Sequence, residues 1–490
     1  MHRPAQRASI CLAPLASAVL LAGCVAVQPF DTPSIGPASA ALNSRESIIA
    51  SQPALDEASA PQRWWDLFND STLTDLEVGI ESNLTLRAAA LRIEESRAQL
   101  GLADARRRPN VGANAGYARD AISENSPIHQ LGAPTAGYDT WSLGLQAAWE
   151  IDLWGHLQHL SASARANLQA TYYDSKAARV SVTAELARTY LVLRGVQAQE
   201  SIVNENLDIA RNLVRLAQSR QRNGVVSKFD AVSARADVSA LEARATQLHH
   251  ERAALMNAVA RLSGKAPREL DAQLATAPLP SMPSRLPIGI PSELAKQRPD
   301  ILQAEAKLRA AVADIGAAKA DFYPRISLTG TIGMQAFNLS DLGSWASRQY
   351  AFGPSLYLPI FEGGRLRRQL ELTEVRHRLA AIAYQDTVLQ AWHEVDDALG
   401  AYASELKRHE QLQSAMRDNQ TALTIARRSY QQGAADFTTV LIARRTLLAS
   451  QADLTDSATA SALAVVSLYR ALGGGWSPEL NTGAAPKATS

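Results

Sequence analysis

The chain has 490 residues, 49 Lys and Arg against 48 Asp and Glu, and a formal net charge of +1, so it offers no broad basic face for nucleic acid. Its two cysteines rule out a disulfide framework. Beyond the first 23 residues no apolar run approaches the roughly 20 residues that a membrane helix needs, so any bilayer crossing must use strands.

In chain order, Arg3 and Arg7 precede an apolar stretch from Ala8 to Ala22, followed by Gly23 and Cys24. A short basic and apolar leader of this kind predicts an export signal. Leu21-Ala22-Gly23-Cys24 resembles the bacterial lipobox, which implies a lipoprotein signal peptide at 1–23 and a lipid carried on Cys24. Cys11 lies inside the leader, so the mature chain would form no disulfide. Val25 stands where an aspartate would resemble the inner-membrane retention signal, and this implies the outer membrane. Residues 24–62 are small, polar and proline-bearing, a lipidated tether rather than a domain.

From here the chain reads as one unit written twice. Gly144 pairs with Gly353, Gly155 with Gly364, Glu185 with Glu394, Gly224 with Gly433, Arg235 with Arg444 and Gly264 with Gly473, each pair 209 apart (353 − 144). Upstream, Gly101/Gly316 and Pro109/Pro324 are 215 apart (324 − 109), so a six-residue slip falls between Pro109 and Gly144. The first repeat is 63–264, with a helix, a β-hairpin at about 109–153 and a long helical hairpin whose tip is near 224. A proline-rich equatorial connection occupies 265–297. The second repeat is 298–475, with a β-hairpin at about 324–361 and a tip near 433. Residues 476–490 read as a disordered tail.

Within each repeat, Pro109 and Pro324 mark the change from helix to strand. From Trp141 to Leu153, odd positions are Trp141, Leu143, Leu145, Ala147, Trp149, Ile151 and Leu153, while even positions are polar or small. This is the period of a strand with one apolar face. Val111, Ala113, Ala115 and Tyr117 give its partner. Ile326, Leu328, Ile332 and Met334 give a third strand, and Phe352, Leu356, Leu358 and Ile360 a fourth, although Pro354 and Pro359 fit a ladder poorly. Strands of about ten residues with one apolar face can cross an outer membrane. The aromatics Tyr117, Tyr138, Trp141, Trp149, Tyr323, Trp345, Tyr350 and Tyr357 lie towards strand ends, where interfacial girdles sit. Four strands cannot close a barrel, and lipid tolerates no open edge, so the chain must oligomerise.

Each hairpin leads into a proline-free helical tract, His156 to Asn223 and Arg365 to Gln432, which at 1.5 Å per residue would extend about 100 Å. Leu186, Tyr190, Leu193 and then Val203, Leu207, Ala210, Val214 and Ala217 follow a heptad seam that calls for coiled-coil partners. Gly224 and Gly433 supply left-handed stops. Ser227 and Asp230 form a capping box opening the first return helix, and Asp436 can cap the second. Tyr430 stands beside the second stop.

Trp64-Trp65, Arg298-Pro-Asp300, Tyr323-Pro-Arg-Ile326, Trp149 through Gly155 and Gly353 through Arg365 together resemble the TolC-like outer-membrane efflux proteins, in the lipoprotein branch serving resistance-nodulation-division pumps. The resemblance runs from about Arg63 to Trp476. It implies a trimer with one twelve-stranded barrel and a periplasmic tunnel of helices closing at a tip. It also implies a periplasmic adaptor and an inner-membrane transporter as partners, with small molecules passing to the exterior. Asp230 falls where the family often carries a tip aspartate, but Thr439 and Ile442 break the other two matches. Gly224, Ser227, Asp230, Tyr430, Gly433 and Asp436 are therefore the candidate tip and gate residues. A type I protein-secretion duct shares the architecture, and an adaptor lipoprotein shares the hairpin but not the doubled strands.

No enzyme is expected. His156/His159 and His249/His250 lack a carboxylate or cysteine cluster that would complete a metal site. Gly363-Gly364 and Gly473 to Gly475 lack phosphate-loop spacing, so no cofactor is expected either.

Overall fold

A computed structural model describes residues 55–56, 58, 60–223, 227–283, 285–289, 297–474 and 476. The signal peptide, Cys24, Gly224 and the tail beyond Trp476 lie outside the described residues. The main elements in chain order are β1 (Leu55–Asp56), α1 (Ser71–Val78), α2 (Leu84–Ala105), β2 (Asn110–Asp120), α3 (Pro127–Gln130), β3 (Tyr138–Ile151), α4 (His156–Arg222) and α5 (Lys228–Leu262). They continue with β4 (Leu286–Pro287), α6 (Pro299–Ala320), β5 (Arg325–Ala336), β6 (Arg348–Tyr357), α7 (Arg365–Gln431) and α8 (Phe437–Ala471). Both ends of α4 and α7 are 209 apart (365 − 156 and 431 − 222), and so are both ends of α5 and α8. Helices α2 and α6 keep the spacing of 215 at both ends (299 − 84 and 320 − 105).

By its internal contacts the chain divides into two compact units, and both repeats contribute to each. One unit takes Glu94–Ala170 and Ala304–Tyr384. Its four-stranded sheet has the order β2-β3-β5-β6 with every neighbour antiparallel. The strands start where the prolines turn the chain out of helix: Pro109 precedes β2 and Pro324 precedes β5.

Register decides what the sheet presents. Directly opposed residues point to the same side, and Ala113, Leu145, Ile332 and Tyr350 form one row across all four strands. Val111, Ala147, Gly330 and Phe352 form the next row. The alternate row reads Gly112, Gln146, Thr331 and Ala351. One face is thus apolar from edge to edge and the other is polar or small. Leu143, Leu145, Ile332, Tyr350, Phe352 and Leu356 are all exposed on the apolar side. The fourth strand is displaced from its expected extent: β6 spans Arg348–Tyr357, and Leu358 and Ile360 lie beyond it. Pro359 lies past the end of the ladder, whereas Pro354 stays within it, opposite Leu328. Likewise β3 stops at Ile151, short of Leu153. Aromatic pairs mark strand ends, with Tyr117 against Trp141 at 4.5 Å and Trp154 stacked on Tyr323 at 4.9 Å.

The other unit takes the described parts of Ser34–Ile93, Thr171–Gln303 and Gln385–Ser490. Its core gathers Leu186, Tyr190 and Leu193 of α4, Val395 and Tyr402 of α7, and Val465, Leu468 and Tyr469 of α8, with Trp64 stacked on Tyr469 at 5.5 Å. The proline-rich connection is anchored here: Leu274, Leu286 and Ile288 are fully buried, and β4 pairs in parallel with β1 from the expected tether. Arg194 of α4 is buried and donates to Gln197 Oε1 at 2.8 Å, to the Ala275 carbonyl at 2.6 Å and to the Tyr190 hydroxyl at 2.9 Å. That hydroxyl in turn donates to Asp70 at 2.8 Å, and burial with this carboxylate pushes the Tyr190 phenol up to about 12. Gly195 sits where α4 and α8 meet; a Cβ there would lie 2.4 Å from the Thr459 hydroxyl.

Arg298, first residue of the Arg-Pro-Asp string, is buried. Its fork meets Asp300 at 2.7 and 3.1 Å, Glu394 at 2.7 Å and the Ala471 carbonyl at 2.8 Å. The string is therefore a charge-assisted clamp joining the start of α6 to α7 and α8.

Candidate functional site

The candidate tip residues lie at the turns between long helices. The second turn is resolved: α7 ends at Gln431, and Gly433 takes φ +77°, a conformation that favours glycine. The Ala434 N–H then donates to the Ser429 carbonyl at 2.8 Å and the Gly433 N–H to the Tyr430 carbonyl at 3.1 Å, which satisfies two carbonyls of the last turn of α7. Gly224, its counterpart in the first turn, lies outside the described residues.

The first return helix opens with the expected box. The Asp230 N–H donates to Ser227 Oγ at 3.2 Å, and the Ser227 N–H donates to Asp230 Oδ2 at 3.1 Å. The second return helix differs from expectation. Asp436 holds the N-cap position of α8, but its side chain accepts no helix N–H and remains exposed. The Thr439 N–H donates instead to the Asp436 backbone carbonyl at 3.1 Å. Thr439 stands where Asp230 supplies an acid in the first copy, so the return bond from a side chain to the N-cap N–H is missing here as well.

Beyond the caps, polar links near the two turns join the first hairpin to the second. Asp230 Oδ1 accepts from the Thr438 hydroxyl at 3.3 Å. Arg220 donates to the Tyr430 hydroxyl, with its guanidinium 5.1 Å from the centre of that ring. Arg445 Nε donates to Asp237 Oδ1 at 2.8 Å. Between these links Ala217, Ala231, Phe437 and Leu441 form a small buried cluster, and Tyr430 packs on Phe437 at 5.5 Å. Sequence reading placed Asp230 and Tyr430 but missed Arg220, Asp237, Thr438 and Arg445. A signal was present: Tyr430 aligns with Gln221, so the repeat breaks where the two hairpins meet through unlike partners.

The histidines take local roles. In the strand-bearing unit His156 Nδ1 lies 3.2 Å from Asp321 and 3.2 Å from the Ala317 carbonyl. Burial lowers the imidazole pKa of His159. His249 lies 3.7 Å from Glu200, which is paired with Arg252 at 3.0 Å.

Against known proteins, the family described as "Outer membrane efflux protein" matches residues 78–265 and 290–474, one stretch in each repeat. The chain belongs to this family. It is an outer-membrane efflux channel, a transport duct rather than an enzyme. Outer membrane protein OprJ of Pseudomonas aeruginosa is 32% identical over 414 residues, covering 84% of this chain and 86% of its own. Cation efflux system protein CusC of Escherichia coli is 31% identical over 467 residues, covering 95% of this chain and 98% of its own. Among solved structures, the outer-membrane channel OprN superposes with a TM-score of 0.82 at 32% identity, covering 88% of this chain and 96% of its own. VceC of Vibrio cholerae superposes with a TM-score of 0.78 at 29% identity, covering 85% of this chain and 99% of its own.

Proposed function

We propose that three copies of this efflux channel pair the free edge of β6 with the free edge of β2 in the next copy. They thereby close a twelve-stranded outer-membrane barrel that leads from a periplasmic helical tunnel. The observation that carries this reading is the four-stranded sheet itself, with an apolar face that runs unbroken between two open edges. In lipid each unpaired backbone group costs several kcal/mol, so both edges need strand partners. Three copies of one chain supply them by symmetry.

The helical hairpins receive cargo from a periplasmic adaptor and an inner-membrane resistance-nodulation-division transporter, which provides the energy. The links Arg220–Tyr430, Asp230–Thr438 and Asp237–Arg445 hold the two hairpins together in the closed tip, and opening requires that they separate. With Thr439 and Ile442 in place of acids, the constriction carries less negative charge than a doubly acidic one would. Relatives carry names for cation, solvent and antibiotic efflux, which favours a duct that selects by width and field while the pump chooses the cargo. Cys24 carries the lipid that adds a second membrane contact to the barrel.

The test is assembly and conductance. Purified chain should migrate as a heat-modifiable trimer and open ion-conducting pores in planar bilayers. Cys24→Ser should lose metabolic palmitate labelling yet still form trimers, because the barrel is the stable contact. A monomer without conductance would overturn the reading.

A further inference from the structure

A cavity of about 220 Å³ lies between α4, α5 and α8 in the helical unit. Leu213, Leu241, Leu441 and Leu448 wall it, and its charged lining is Asp237, Arg444 and Arg445. Asp237 is engaged by Arg445. Arg444 makes no ion pair of its own among the described residues, although Asp237 lies near enough to offset part of its charge. It is 8% exposed, and only its Nη2 finds an acceptor, the Asn206 carbonyl at 2.5 Å with Asn206 Oδ1 at 3.4 Å. Among the described residues no protein acceptor meets its Nε or Nη1, and neither atom is sealed from solvent. Burial pushes this guanidinium pKa down from its ordinary value and the nearby Arg427 adds repulsion, which the Asp237 carboxylate opposes in part.

A largely buried cation is costly unless an anion compensates it, and in this lining two guanidiniums face a single carboxylate. Apolar walls around a few convergent polar groups are the usual make-up of a small-molecule site. We propose that this cavity binds a singly charged anionic amphiphile, an alkyl carboxylate, whose head meets Arg444 and whose chain lies against the leucines. The ligand then spans the first hairpin and α8, independently of what the duct exports.

The test uses the full-length protein in a non-ionic detergent and a decanoate analogue bearing a terminal diazirine. Light should attach the probe saturably to the segments containing Leu241 and Leu441. Free decanoate should displace it, whereas decanol and decyltrimethylammonium should not. Arg444→Gln, checked for native assembly, should reduce labelling at least tenfold. Should that variant fail to assemble, Leu241→Trp fills the cavity while keeping the guanidinium and should abolish labelling, and the competitor series on the unaltered protein stands regardless. Unsaturable labelling, displacement by decanol as effective as by decanoate, or undiminished labelling in assembled Arg444→Gln would overturn the site.

Discussion

Leu145 and Gln146 are neighbours with opposite surroundings, so the same substitution should have opposite outcomes. Leu145 stands at the middle of β3, opposite Ala113 and Ile332, and half of its surface is open on the apolar face. Gln146 faces the other way, opposite Gly112 and Thr331. In a transmembrane barrel an arginine facing the bilayer midplane costs about 2–4 kcal/mol, and about 6–12 kcal/mol once repeated in three symmetry-related chains. The lower figure already rivals the whole stability of an ordinary domain, about 5–15 kcal/mol. Leu145→Arg should therefore abolish the heat-modifiable trimer in outer-membrane fractions and remove efflux-dependent resistance. Gln146→Arg faces water and should assemble at the level of the unaltered chain. Equal assembly of both variants, or equal failure, would refute a membrane-spanning β3 and with it the lipid-facing assignment of the apolar rows.

Four further outcomes follow from particular contacts. Ser227→Ala removes the acceptor of the Asp230 N–H and should destabilise the first return helix by about 1 kcal/mol, read as a lower unfolding midpoint; Asp230→Asn in an assembled trimer should reduce cation preference in single-channel recordings if that carboxylate faces the pore. Glu77 is buried with neither carboxylate oxygen hydrogen-bonded, and burial raises its pKa well above 4.5 despite Thr183 and Arg179 nearby. The unfolded chain thus ionises first as pH rises, and stability present at low pH is lost as pH climbs from 4.5 through the folded value. Glu77→Gln should raise the melting temperature near neutral pH and change it little at about pH 4, and a pH-independent effect would contradict the buried, protonated state. Gly195→Val should cost about 1–3 kcal/mol by driving methyl groups into Thr459, and Thr459→Ala in the same chain should recover part of that loss in a double-mutant thermal melt.

Much of this molecule was legible before its coordinates because periodicity is a local property. The alternation from Trp141 to Ile151, the prolines at 109 and 324 and the offsets of 209 and 215 locate strands and long helices by backbone chemistry alone. The box at Ser227 and the left-handed stop at Gly433 are equally local, each closing within a few residues. Where sequence reading failed, the deciding partner was distant or absent. Asp436 looks like a cap, yet its carboxylate accepts no N–H of the helix it precedes. Nothing in the proline-rich composition of 265–297 points to burial, yet Arg194 and Gln197 hold its backbone and the core buries Leu274, Leu286 and Ile288. Gly195 is a poor helix former by residue type, and only the packing of Thr459 against it shows why a side chain there is excluded. The links Arg220–Tyr430 and Asp237–Arg445 join residues 210 and 208 positions apart. Such pairs obey no spacing rule, since only the packing of one helical hairpin on the other brings their side chains within hydrogen-bonding reach.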